Sequence, residues 1–333
     1  KLGVHLLWRM KYAVLLLAAI VFGLVQCITW LWPASRAARS ATSPVVENYP
    51  MFRGDPQRLG FAPGSPEPLE GGVNWIFDRD NIAIYSTPTV AGKRVYISTA
   101  DRGFAYNRGS VYCLDAETGS LIWKATPPGM RAAVSAPVVS GKYLIVGEGF
   151  HETRDACIFC LDLTQRGRVL WRQRTRNHVE TTACIANGRA YIGAGDDGYY
   201  CVELEPDAAG QPRVVWHAPG QLYPDSESCP VVHDGKVFVG LGVDGNAVVC
   251  LDANTGRQIW RTPAPYPVFS PPTIYSNKVI TATGNGDYGT TGEQWAARAA
   301  LRVRRRGGSP QEVLEAVRRN GPAGEGWCLD AAT

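Results

Sequence analysis

From about residue 85 onward the apolar positions fall in short runs. Val111–Asp115 reads VYCLD, Ile158–Asp162 reads IFCLD, Tyr199–Leu204 reads YYCVEL and Val248–Asp252 reads VVCLD. Brief apolar runs between turn formers mark strands buried on both faces. Two more strands precede each run. They lie in STPTVAGKRVYIST, SAPVVSGKYLIVGE, TACIANGRAYIGAG and CPVVHDGKVFVGLG, and again in SPPTIYSNKVITATG, each with a small turn at or near Gly or Asn. A last strand ends on tryptophan, at Trp75, Trp123, Trp171, Trp216 and Trp260, with intervals of 48, 48, 45 and 44 residues. Four short strands per unit of about 45 residues is the length of a propeller blade. The pattern predicts an all-β fold: a β-propeller of four-stranded antiparallel blades, four complete and a fifth partial.

The turn before the last strand reads DAETGS or DANTGR. Asp115 and Asp252 open it, and Gly119 and Gly256 supply a left-handed position without a Cβ clash. The regular recurrence of the tryptophans assigns them to packing between neighbouring blades. Residues 291–325 break the pattern. Trp295, Ala299 and Val303 recur at helical spacing, and Ser309, Pro310 and Glu312 form a capping-box sequence. A helical hairpin inserted between two strands of the fifth blade is predicted there.

The other departure is N-terminal. Tyr12–Trp32 carries no charge, and its 21 residues suffice to span a bilayer core at about 1.5 Å each. Trp30 and Trp32 suit the interface. The segment is read as a transmembrane signal-anchor, with a cleaved signal peptide as the competing reading. Lys1, Arg9 and Lys11 outweigh Arg36 and Arg39, which places the N-terminus inside and the propeller toward the periplasm or exterior. Pro33–Gly72, rich in Pro, Ser, Ala, Gly and Arg, reads as a tether. The predicted organisation is thus 1–32 flank and anchor, 33–72 linker, and 73–333 propeller.

The phrase VYCLDAETGSLIWK resembles the pyrroloquinoline-quinone (PQQ)-type propeller repeat, whose hallmark is Ala/Cys-Leu-Asp-x-x-Thr-Gly-x-x-x-Trp. AVVCLDANTGRQIWR is a second full copy, and GEGWCLDAAT begins another. The turns LTQRGRVLW and LEPDAAGQPRVVW depart from it, while the strands around them keep their places. MFRGDPQRLG, at Met51–Gly60, resembles the leader of bacterial PQQ-like repeat proteins. The superfamily includes quinoprotein dehydrogenases and a lipoprotein of outer-membrane-protein assembly. Its propellers usually have roughly seven or eight blades. The resemblance therefore implies part of a larger ring. A five-blade ring is the alternative, its last sheet completed by the Trp75 strand.

Net charge is +4, but residues 1–40 hold five bases and no acid, and residues 291–325 hold seven arginines against four glutamates. The remaining body is acidic, so nucleic-acid binding is not expected. Three G-x-G-x-x-G strings, starting at Gly193, Gly240 and Gly284, recur at one repeat position and read as hairpin turns; the first two run into strands and not into the helix that a dinucleotide site needs. Cys113, Cys160, Cys201, Cys250 and Cys328 share one repeat position and read as small buried fillers. The five histidines form no local cluster.

TATGNGDYG resembles a calcium-binding stretch of quinoprotein alcohol dehydrogenases. That implies Asn285 as a candidate ligand beside cofactor and metal, with Asp287 as a further oxygen donor. No catalytic residue is assigned. The leading expectation is a membrane-anchored, extracytoplasmic binding or scaffold module without a cofactor, meeting protein partners through rim loops. The alternative is a PQQ- and calcium-dependent dehydrogenase acting on an alcohol or sugar.

Overall fold

A computed structural model describes residues 48–60, 73–103, 106–285, 292–320 and 323–332. The anchor reading of Tyr12–Trp32 lies outside the described residues. Among those described, no helix is long and apolar enough to cross a membrane.

The sheets are antiparallel and built around meanders of consecutive short strands. The first contains β1 (Asn48–Tyr49), β2 (Ile82–Ala83), β3 (Thr89–Ala91), β4 (Arg94–Gly103), β5 (Tyr106–Asp115) and β6 (Leu121–Ala125). The second runs β7 (Val138–Ser140), β8 (Tyr143–Gly147), β9 (Cys157–Asp162) and β10 (Arg168–Arg174). The third runs β11 (Cys184–Ala186), β12 (Arg189–Gly193), β13 (Gly198–Glu203) and β14 (Val214–Pro219). The fourth runs β15 (Val231–His233), β16 (Lys236–Leu241), β17 (Ala247–Asp252) and β18 (Gln258–Pro263). The fifth has three strands, β19 (Thr273–Tyr275), β20 (Lys278–Gly284) and β21 (Gly324–Asp330). Helices α1 (Gly292–Arg305) and α2 (Pro310–Asn320) interrupt it between β20 and β21. The capping box forms: Ser309 N donates to Glu312 Oε2 at 2.7 Å, and Glu312 N to Ser309 Oγ at 3.2 Å.

Consecutive first strands β3, β7, β11, β15 and β19 lie beside one another and form the inner wall of the array. One device recurs where the Trp75 segment meets the first sheet, where the second sheet meets the third and where the third meets the fourth. Trp75 Nε1 donates to Ala116 O at 3.0 Å, Trp171 Nε1 to Leu204 O at 2.9 Å and Trp216 Nε1 to Ala253 O at 3.0 Å. Each acceptor follows the Asp or Glu that opens the next sheet's last turn. The indoles also cover that turn's glycine. A Cβ on Gly119 would stand 2.5 Å from the Trp75 ring, and one on Gly256 would stand 2.7 Å from the Trp216 ring. Both glycines have φ of +69°, so turn conformation and close approach demand the same residue. Across each complete sheet the tryptophan pairs with a cysteine (Trp123 with Cys113, Trp171 with Cys160, Trp216 with Cys201, Trp260 with Cys250), and the register shifts beside the pair. A small side chain opposite a large one fits the pleat there.

The turns hold as predicted. Asp115 Oδ1 accepts from Thr118 N and Oγ1, both at 3.0 Å, and Asp252 Oδ1 from Thr255 N and Oγ1, both at 2.8 Å. The divergent second-sheet turn keeps the bond, with Thr164 N donating to Asp162 Oδ1 at 2.8 Å.

Three expectations are corrected. Residues 48–60 are no tether: they belong to the compact unit Val46–Thr333, with Met51 and Arg58 buried. This leader crosses the inner wall, taking hydrogen bonds from Val139 N to Pro50 O, Val232 N to Pro56 O and Ile274 N to Gln57 O. Arg58, fully buried, donates to the carbonyls of Phe52, Thr182, Ala183 and Pro230 at 2.8–3.1 Å. Its charge is met by carbonyl dipoles from the leader and from the starts of the third and fourth sheets. Second, the alternative in which the Trp75 strand completes the fifth sheet is not formed among the described residues: β21 pairs there with β20, and the Trp75 segment packs on the first sheet's turn. Third, Cys328 is exposed, unlike Cys113, Cys160, Cys201 and Cys250.

Candidate functional site

Loops between second and third strands, and the connections from sheet to sheet, interlock at one end of the array. Val179 N donates to Glu148 O and Ser226 N to Gly195 O, both at 2.9 Å, while Gly242 N donates to Asp225 O at 3.0 Å. The G-x-G-x-x-G strings supply part of this rim as hairpin turns between β12 and β13 and between β16 and β17.

On the rim the chain gathers His151, His178 and Glu227. His151 stands on the β8–β9 loop, His178 on the β10–β11 connection and Glu227 on the β14–β15 connection. Glu227 Oε1 lies 2.8 Å from His151 Nδ1 and 2.9 Å from His178 Nε2. The rings are 5.0 Å apart. All three donor atoms lie within 4.8 Å of one another. The His151 side chain is 67% exposed, whereas those of His178 and Glu227 are 3% and 8% exposed, so the cluster has a buried base and an open mouth. Gly195, with φ of +51°, brings its backbone against the His178 ring; a Cβ there would stand 2.7 Å from Cε1. His178 Nδ1 is buried and has no hydrogen-bond partner among the described residues.

The surroundings are acidic. Burial pushes the Glu227 carboxyl up, but hydrogen bonds and charge from His178 and His151 outweigh it and hold it below the ordinary glutamate range. Burial first, and the Glu227 charge second, push Asp225 up to about 6. Burial raises Glu180 as well, against the pull of His178. Asp225 N in turn donates to Asp196 Oδ1 at 3.3 Å. Carboxylates crowded around two imidazoles suit cation binding or proton exchange at the mouth.

Sequence reasoning found no histidine cluster, and the two histidines are 27 positions apart. A signal existed in the repeat. Sliding the chain by 47 residues lays His178 on Asp225 and Glu180 on Glu227, all just ahead of a first strand. Equivalent offsets in neighbouring units place side chains on one rim.

Asn285 follows β20. Its Oδ1 accepts from Ala323 N at 2.8 Å and its N donates to Ala323 O at 3.0 Å, which ties the base of the helical insertion. Asp287 lies outside the described residues. Among the described residues, the close-set group of three or more His, Cys, Asp or Glu donors is the one at His151, His178 and Glu227. The Asn285 side-chain oxygen thus serves an internal tie.

A family model described as the outer membrane protein assembly factor BamB matches residues 107–206 and 204–304. The chain belongs to this PQQ-like repeat β-propeller family. The BamB of Burkholderia pseudomallei is 24% identical over 217 residues, 61% of this chain and 51% of that protein. The 1-butanol dehydrogenase (cytochrome c) of Thauera butanivorans is 36% identical over 67 residues, 18% of this chain and 9% of that protein. The chain therefore matches about half of one curated relative and a small part of the other. Among solved structures, BamB from Moraxella catarrhalis superposes with a TM-score of 0.50 at 17% identity, covering 64% of this chain and 63% of that one. Quinohemoprotein alcohol dehydrogenase ADHIIG from Pseudomonas putida HK5 gives 0.53 at 15% identity, covering 71% and 43%. These structural likenesses establish the fold.

Proposed function

We propose that this chain is a binding and scaffold module without catalytic chemistry of its own. The propeller faces the periplasm or exterior, tethered through Tyr12–Trp32, and meets protein partners on its loop rim. The observation that carries this reading is how the repeat residues are used. Trp171 and Trp216 seal one sheet to the next and Trp75 covers the first sheet's turn, the turn aspartates hold their own turns, and the leader takes hydrogen bonds from the inner strands. The rim loops keep side chains for contact. Tyr85, Phe150, Leu222 and Val243 are exposed there, and Tyr85 and Phe150 meet edge to face with centroids 5.9 Å apart. Exposed aromatic and aliphatic side chains on interlocked loops suit a protein interface. The family description as an assembly factor agrees with this use.

The alternative, a PQQ- and calcium-dependent dehydrogenase of an alcohol or sugar, draws support from the 36% identity with the butanol dehydrogenase segment. One experiment separates the two readings. The chain is titrated with PQQ and Ca²⁺ in the presence of an artificial electron acceptor and alcohols or sugars, and cross-linked in parallel in its native membranes. The scaffold reading expects no dye reduction, and cross-links from the Phe150, Leu222 and Val243 loops to a protein. That signal should fall in a triple serine variant at these positions. Stoichiometric quinone binding with dye reduction would replace this reading with the dehydrogenase.

A further inference from the structure

We infer that His151, His178 and Glu227 form a binding site for one divalent transition-metal ion of the zinc class. The inference rests on the rim geometry and does not depend on the scaffold reading. Three donor atoms from three separate loops converge within 4.8 Å. In a tetrahedral zinc site with bonds of about 2.0–2.1 Å, neighbouring ligand atoms stand about 3.4 Å apart. Glu227 Oε1 is 2.8 and 2.9 Å from the two imidazole nitrogens and the widest pair of donors lies within 4.8 Å, so loading requires movements of up to about 1.5 Å. The exposed His151 can make most of that movement, while Gly195 keeps the buried His178 ring in place.

The donor set decides the class of ion. Two imidazoles and one carboxylate suit zinc and its first-row neighbours, whereas calcium and magnesium take oxygen ligands. An ionised carboxylate only accepts, so the two nitrogens facing Glu227 carry protons in the metal-free form. On loading, the proton of each metal-facing nitrogen moves to the other ring nitrogen, Nε2 of His151 and Nδ1 of His178, and the ion's two positive charges oppose the crowding of Glu227 by Asp225 and Glu180. Three protein ligands leave a fourth position at the open mouth beside His151, for water or for a donor from a bound partner. The ion would staple the β8–β9, β10–β11 and β14–β15 loops, and so the second, third and fourth sheets, at the rim.

The test uses the full chain without a polyhistidine tag, stripped with chelator. Zn²⁺ is titrated by calorimetry, Co²⁺ by visible absorption, and unfolding midpoints are recorded with and without each ion. One equivalent of Zn²⁺ should bind and raise the midpoint, and Co²⁺ should give ligand-field bands of a four- or five-coordinate nitrogen–oxygen site. His151→Ala removes an exposed ligand, so its metal-free midpoint should stay near that of the parent. Its zinc affinity should fall more than about tenfold. Glu227→Gln should weaken binding similarly. The inference is overturned by absence of stoichiometric binding, by binding undiminished in both variants, or by Ca²⁺ binding as tightly as Zn²⁺.

Discussion

The fourth and fifth sheets carry the same phrase and live in different surroundings. In the fourth, β16 and β17 are buried on both faces, and Cys250 is wholly covered. In the fifth, β20 alternates buried and exposed positions, β21 is largely open, and Cys328 faces solvent. The seals differ too. Trp216 donates to Ala253 O, but the Trp260 indole nitrogen is buried without a partner, and the equivalent carbonyl, Ala331 O, accepts from Lys236 Nζ at 3.2 Å. One sequence motif thus has two fates, because a blade's burial comes from its neighbours.

The largest expected contrast is at the indoles. Trp216→Ala opens a sealed interface and should cost about 3–5 kcal/mol, whereas Trp260→Ala should cost roughly half as much or less. Substitution by Phe sharpens this. Trp216→Phe leaves the Ala253 carbonyl without its donor and should cost about 1–3 kcal/mol. Trp260→Phe removes a buried N–H that has no partner and should be neutral or stabilising. Denaturant midpoints for the four variants decide it; equal losses at the two positions would remove the distinction between the sheets. The glycines should follow the same order. Gly256→Ala meets the Trp216 ring and a φ of +69°, at a cost of about 1–3 kcal/mol. A Cβ on Gly326 meets nothing within 4 Å, and Gly326→Ala should be close to neutral.

The leader reaches both sheets, through Pro56 to Val232 and through Gln57 to Ile274. Arg53 belongs to the fifth alone: its Nη1 donates to Thr273 Oγ1 at 2.9 Å. Arg53→Ala should therefore speed amide exchange in β19–β21 severalfold and leave β15–β18 unchanged. Uniform acceleration across both sheets would show that they open as one unit.

The repeat made most of the fold legible, because strand period, turn chemistry and tryptophan spacing agreed at every level. Asp115, Gly119, Asp252 and Gly256 take the roles their turn sequence assigned. What escaped was long-range. MFRGDPQRLG has no strand period, since its carbonyls bind the edges of other sheets and Arg58 is buried by carbonyls drawn from three places. Trp75 packs on the first sheet's turn, and the repeat motif alone did not say which copy it would meet, because a motif names its type of partner. His151, His178 and Glu227 meet only when loops of successive units stack, so no local spacing announces them.

The smallest expected effect concerns the turn aspartates. Hydrogen bonds from Thr255, side chain first and backbone second, hold the Asp252 carboxyl below its ordinary range. A carboxylate with a depressed folded pKa contributes stability that is present above the unfolded value of about 3.9 and is lost as pH falls through the folded one. Asp252→Asn should therefore destabilise the chain at pH 7 and by less at pH 3. The group is almost fully solvated, so the change should amount to a few tenths of a kcal/mol. Asp330 is lowered too, by the Ala332 amide first and Lys278 second, but it sits on the open fifth sheet. If local opening there precedes global unfolding, Asp330→Asn should leave the pH dependence of the global midpoint unchanged while Asp252→Asn flattens it. Equal flattening would mean that the fifth sheet unfolds together with the fourth, and that its exposed strands are stable parts of one cooperative unit.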